Sequence, residues 1–201
     1  ALVKQGVQYI STVASAKSYP AGTTVALSGK VVTAAFDGFF YIEEPDRSNG
    51  IKVASGVPVD VDDVVDVTGS VGITDGERQI GASNVAILGV SPIPPMPFGI
   101  RGDFLGGAAM NRYTPGITGG LGAHNIGLLV TTWGEVVSTG SKYFYIRSRP
   151  ALTIKVISGA LVKPAVGKFV TVTGISTCEV LSGATARAIR PREQADIQVL
   201  E

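Results

Sequence analysis

What this chain has little of sets the first limits on what it can be. It carries one histidine, one cysteine and one tryptophan in 201 residues. A lone Cys178 cannot close an intrachain disulfide, and a small buried hydrophobe in a strand is the expectation. A lone His124 has no second imidazole or thiolate with which to share a metal, and no Ser-His-Asp arrangement can be built around it. It reads as a loop residue whose ring fixes backbone. Charged residues are only 16% of the chain against 45% hydrophobic, which excludes a disordered polyelectrolyte. No apolar run approaches the roughly 18 residues of a membrane-spanning helix. Helix-period runs are scarce as well, whereas valine, threonine and glycine abound, so the class is all-β. The chain opens on Ala1 rather than methionine, which reads as a processed or trimmed form.

Acidic residues do gather once, at Asp60, Asp62, Asp63 and Asp66, but without the central glycine and terminal glutamate of a calcium loop. They read as a turn entering a strand. The glycines of Gly116–Gly122 lack the Gly-Lys-Ser/Thr of a phosphate loop and are not followed by an amphipathic helix. No metal, cofactor or catalytic set is expected.

Glycine and proline concentrate from Ser91 to Gly127, with nine glycines and five prolines in 37 residues. Such punctuation is too long for an ordinary connection inside a compact domain. Arg101, Phe104, Met110, Tyr113 and Ile117 give it enough side chains to dock, so an ordered strap is expected rather than a tether. On either side the same text is written twice. Gly29-Lys30-Val31-Val32 returns as Gly134-Glu135-Val136-Val137, Phe39-Phe40-Tyr41-Ile42 as Tyr143-Phe144-Tyr145-Ile146, and Ile51-Lys52-Val53 as Ile154-Lys155-Val156. Ser55-Gly56 and Val67-Thr68-Gly69 return as Ser158-Gly159 and Val172-Thr173-Gly174, at nearly constant offset. This is a duplicated domain.

The division that follows is an N-terminal extension over residues 1–22, a first barrel over 23–90, the Gly/Pro-rich linker over 91–127 and a second barrel over 128–201. In the extension, Val3, Val7 and Tyr9 share one face of an extended segment, and a short helical turn over 11–17 is equally compatible with the pattern. In the first repeat, strand patterns run over 25–35, 39–44, 50–54, 63–73 and to about residue 88, with hairpin turns at Asp37-Gly38 and Asp75-Gly76.

The strand carrying Gly-x-Val-Val, the Phe/Tyr-x-Tyr-Ile strand, the Ile-Lys-Val strand and the valine-rich run closing on Val-Thr-Gly together resemble the OB-fold modules of exported bacterial nucleases and cell-surface proteins. The resemblance covers residues 23–90 and 128–200. It implies two tandem OB-like five-stranded barrels. Two departures stand out: the helix usual between the third and fourth strands is cut to short connections at 57–62 and 160–167, and the nuclease catalytic domain is absent. OB barrels hold single strands on their second and third strands, with aromatics stacking on bases and cations tracking phosphates. That places Phe39, Tyr41 and Lys52, and Tyr143, Tyr145, Arg147 and Lys155, on the candidate ligand face for single-stranded nucleic acid or an oligosaccharide. Trp133 is expected as a core or interdomain anchor.

Charge gives the other expectation. Residues 23–90 carry four basic against ten acidic side chains, a balance of −6, whereas 128–201 carry nine against five, a balance of +4. Oppositely charged halves attract when copies meet head to tail, and a heterologous contact that does not close builds a filament. The leading expectation is therefore a non-enzymatic, secreted or cell-surface structural protein that self-assembles. Its candidate contacts are Val3, Val7, Tyr9, Asp60, Asp62 and Asp63 on one side and Arg187, Arg190 and Arg192 on the other. The accessory binding module is the alternative.

Overall fold

The computed structural model describes residues 6–200. Contacts divide it into two compact units, one of residues up to Pro95 with Met110–Pro115, the other of Met96–Ala109 with the chain from Gly116 onward.

The first unit holds β1 (Gln8–Tyr9), α1 (Val13–Lys17), β2 (Thr24–Phe36), β3 (Phe39–Glu43), β4 (Gly50–Ala54), β5 (Asp63–Thr74) and β6 (Glu77–Val90). β2 pairs antiparallel with β3, β3 with β4, β5 with β6 and β5 with β2, while β4 runs parallel to β6. The ring is closed in the order 1-2-3-5-4 of an OB barrel, which leaves none of its five strands with two open edges. Alternation turns Leu27, Phe40, Ile42, Val53, Val65, Val67 and Ile80 into one core. Asp37-Gly38 and Asp75-Gly76 take the hairpin bends, Asp75 and both glycines at positive φ.

The extension contains both a strand and a helical turn. β1 lies parallel to β2, Gln8 opposite Val25, and the chain then turns into α1, where the Thr12 hydroxyl caps the Ser15 N–H at 3.1 Å. Val13 and Ala16 close one end of the barrel core. α1 is clamped from below by a buried ion pair: Glu44 accepts from the Val13 N–H at 2.5 Å and from Lys30 Nζ at 2.8 Å, and Lys30 also donates to the Ser11 carbonyl. Tyr9 is exposed and Val7 partly so; Val3 lies outside the described residues.

The second unit repeats the design with β7 (Phe98–Gly99), β8 (Leu129–Thr139), β9 (Phe144–Arg149), β10 (Leu152–Val156), β11 (Phe169–Leu181), β12 (Ala184–Arg190), a 3₁₀ turn over Gln194–Asp196 and β13 (Ile197–Leu200). β8 to β12 close the same ring, with β10 parallel to β12, and β13 adds antiparallel to β11. Its core is Val130, Val136, Phe144, Ile146, Ile154, Val156, Val170, Val172 and Ile189 with Leu105.

The duplication reaches further than the residue pattern indicates. β7 lies parallel to β8, and the Ile100 N–H bonds the Thr131 carbonyl just as the Ile10 N–H bonds that of Ala26. Residues 98–105 are thus the second unit's counterpart of β1 and α1, with Leu105 buried in the core as Val13 is in the first unit. Their side chains have diverged, which hides the match in the sequence. The part of the Gly/Pro-rich segment without a counterpart is the loop that follows, and six residues of it, 110–115, belong to the first unit.

Candidate ligand groove

On β9, Phe144 and Ile146 enter the core, so alternation sends Tyr143, Tyr145 and Arg147 outward. Lys155 on β10 stands opposite Tyr145. Its Nζ lies 4.4 Å from the centre of the Tyr143 ring and 2.6 Å from Glu179 Oε2 on β11. Tyr143 meets Tyr145 edge to face, with centroids 5.6 Å apart. Residues of the β11–β12 hairpin from Glu179 to Arg187 border this face. Between them opens a cavity of about 660 Å³ lined by Ser138, Tyr145, Thr153, Lys155, Glu179 and Thr185, among others. The lining combines one aromatic face, the apolar Ile117, Val137, Leu181, Ala184 and Ala186, several hydroxyls, a lysine already neutralised by a glutamate, and Arg187.

One wall comes from the glycine-rich loop. Thr118 donates its N–H to the Thr185 carbonyl and accepts the Thr185 N–H on Oγ1, each at 2.9 Å, so it extends the β12 edge beyond β10. The loop is held by Asn125, which is buried. Its Nδ2 donates to the carbonyls of Phe104 at 2.7 Å and Ala123 at 3.0 Å, and its Oδ1 accepts the Gly106 N–H at 2.7 Å and the Ser176 hydroxyl at 2.8 Å. Two glycines permit the crossing of backbones beneath it: a Cβ on Gly107 would fall inside the Ala123 carbonyl, and one on Gly120 inside the Gly107 carbonyl. Ile117 and Ile126 then bury Cys178, the buried strand cysteine that the sequence leads one to expect.

The first barrel carries the same pair, but the place beside Lys52 that corresponds to the groove is filled, and its opening of about 440 Å³ lies instead over Phe36, Phe39, the Asp37-Gly38 turn and residues 55–59. Lys52 Nζ sits 4.3 Å from the Phe39 ring centre, Phe36 stacks on Phe39 at 5.1 Å, and Tyr41 meets both edge-on. Tyr41 points out of the barrel, yet it is fully buried, and its hydroxyl donates to Glu77 Oε2 at 2.9 Å. Lys17, at the end of α1, is buried with it. Burial pushes the Lys17 amine down to about 7, against the upward pull of Glu77 and then Glu43. The Lys17 carbonyl accepts from Thr114 Oγ1 at 2.5 Å and Asn111 Nδ2 at 3.4 Å, which seats residues 110–115 on this end of the unit. The parallel pairings Lys52 to Gln79 and Lys155 to Ala188 make Glu77 and Ala186 equivalent. A carboxylate fills in the first barrel what a methyl group leaves open in the second.

The remaining candidate residues are spread out. Arg147 is exposed and pairs with Glu135 at 2.5 Å, outside the cavity. Arg192 holds Asp196 at the 3₁₀ turn. Arg187 borders the groove, half-buried, with its guanidinium lowered in pKa by that burial and set among Asp103 and Arg149; Arg190 is half-buried on β12. Asp60 is exposed and Asp62 half-exposed at positive φ, but Asp63 turns inward to cap the Asp60 N–H, and Asp66 takes the Ser28 hydroxyl and Gly29 N–H. Among the described residues no group of three or more His, Cys, Asp or Glu is gathered as a metal site. Trp133 is neither core nor buried; it stands on the outer face of β8, 41% exposed. Alternation explains it, because Val130 and Thr132 take the inward positions.

Asn125, Lys17, Glu77 and Glu179 carry no motif and escape sequence reasoning. The glycine density around Asn125 is the one signal that a close backbone crossing needs an organiser.

No family model matches the chain, and no curated protein matches it. Among solved structures, that of the hypothetical protein ygiW from E. coli is similar at 26% identity, over 41% of this chain and 98% of that chain, with a TM-score of 0.34.

Proposed function

We propose that the chain is a non-enzymatic binding module whose second barrel holds an extended oligosaccharide in the groove over β9, β10 and the β11–β12 hairpin. The observation that carries this reading is the contrast between repeats: Tyr145 and Lys155 open onto a cavity of about 660 Å³ in one barrel, whereas the equivalent place beside Lys52 is filled by Tyr41, Glu77 and Lys17 in the other. The lining favours a sugar chain over a nucleic acid. Lys155 is committed to Glu179 and covers one face of Tyr143, and the other cation in the lining, Arg187, is half-buried, so the groove offers neither a run of exposed cations nor an open base-stacking pair. Tyr145 supplies one apolar platform for a sugar ring, and Ser138, Thr153, Thr185 and the Lys155–Glu179 pair supply donors and acceptors for hydroxyls.

The test is affinity electrophoresis or calorimetry with a panel of neutral oligosaccharides, run beside labelled oligonucleotides. The expected result is sugar binding that is nearly insensitive to salt and falls about tenfold in Tyr145→Ala. Oligonucleotide binding that weakens steeply with salt, without sugar binding, would replace this reading with the nucleic-acid one.

A further inference from the structure

A second surface stands apart from the groove. On the outer side of the second barrel, Trp133 faces Thr171 across β8 and β11, and Phe169 lies between Glu135 and Leu200. Phe169 is 52% exposed, and Leu200 and Val166 are exposed beside it. Lys168, also exposed, borders the patch. Trp133, Phe169 and Leu200 share one face of the sheet around the Glu135–Arg147 ion pair, with Val166 in the adjoining turn and Lys168 at the rim, which is the anatomy of an interface with an apolar centre and polar groups within it.

The first barrel has the matching position with the opposite sign. At the offset fixed by Val67-Thr68-Gly69 and Val172-Thr173-Gly174, Trp133 corresponds to Ser28, Val166 to Val61, Gly167 to Asp62, Lys168 to Asp63 and Phe169 to Val64. The backbone agrees: Asp62 and Gly167 both adopt positive φ, at 78° and 89°, and their N–H groups bond Val32 and Val136. Asp60 and Val61 are exposed there, and the Ser91 N–H bonds the Asp62 carbonyl, which brings the exposed Val90 alongside.

We propose that the Trp133–Phe169 face of one molecule receives the Asp60–Val90 face of a second copy of this chain. Valines meet the aromatic face, and Asp60 and Asp62 meet Lys168. The occupant is a second copy because the complementary charge and the complementary apolar surface are both on this chain. The contact is heterologous, each molecule offers both halves, and association propagates head to tail. It does not depend on the groove or on any ligand.

The single tryptophan sits at the centre of the contact, so it reports directly. Tryptophan emission and sedimentation velocity are followed as concentration rises from nanomolar to high micromolar, at low salt and at about 1 M salt. The expected result is a blue shift of emission that tracks growth in mass and is weakened by salt. Trp133→Ser, which installs the first barrel's own residue, weakens association about thirtyfold by sedimentation. Lys168→Glu and Asp60→Lys each weaken it about tenfold, and the double variant recovers it. Thermal unfolding confirms that each variant folds. A monomer at all concentrations, or association that survives both Trp133→Ser and Lys168→Glu, overturns the proposal.

Discussion

Removing the Asn125 side chain should loosen the groove wall without touching the groove. Asn125→Ala deletes four hydrogen bonds at once. Two carbonyls, of Phe104 and Ala123, lose their donor, while the Gly106 N–H and the Ser176 hydroxyl lose their acceptor. A net contribution near 1 kcal/mol per bond, with more for groups orphaned inside the protein, gives a loss of about 3–5 kcal/mol. The cost falls first on residues 104–109 and 116–127, because Asn125 ties their two crossing strands of backbone together beside a small apolar cluster of Ile117, Ile126 and Cys178. Urea denaturation should therefore show the second unit weakened by that amount, and limited proteolysis should cut between residues 108 and 123 far faster than in the parent. Binding in the groove should fall too, since Thr118 would no longer be held against Thr185. A loss below about 1 kcal/mol, with unchanged proteolysis, would refute the assignment of Asn125 as the organiser of this loop.

Three further outcomes follow from the same geometry. Lys17 is lowered to about 7 in the folded chain and near 10.5 when unfolded, so the unfolded state binds the extra proton between those values and stability rises with pH across that window, by up to about 1.4 kcal/mol per unit; denaturation at several pH values should show this slope in the parent and not in Lys17→Met. Glu44→Ala strands the buried Lys30 and uncaps the Val13 N–H, and should cost about 3 kcal/mol or more by thermal or chemical unfolding, with Glu44→Gln retaining part of it. Ala186→Glu places in the second barrel the carboxylate that seals the first, and should abolish ligand binding while leaving the unfolding midpoint nearly unchanged; retained binding would mean that the cavity beside Tyr145 is not the site.

The barrels were legible because their determinants are local and repeated. Alternating Phe40 and Ile42, Phe144 and Ile146, the Asp-Gly turns and five anchors at nearly constant offset specify strands, faces and duplication together. The ligand face was legible only to the level of strands. Alternation places Tyr41 and Tyr145 outside alike, and nothing local tells that Glu77 and Lys17 bury one while Ala186 opens beside the other. Those partners come from 24 to 41 residues away in the chain, through pairings that only closure of the barrel creates. The loop around Asn125 was visible as glycine density, but a backbone crossing is defined by which carbonyls approach which amides, and that leaves no periodic trace.

The central claim, that the second barrel alone presents a working groove, is tested most directly by amide chemical-shift mapping during titration with the oligosaccharide panel. The account predicts saturable shifts clustered at Ser138, Tyr145, Thr153, Lys155 and Thr185, with the amides of Tyr41, Lys52 and Glu77 unmoved. Shifts centred on the first barrel, or none with any sugar, would contradict it.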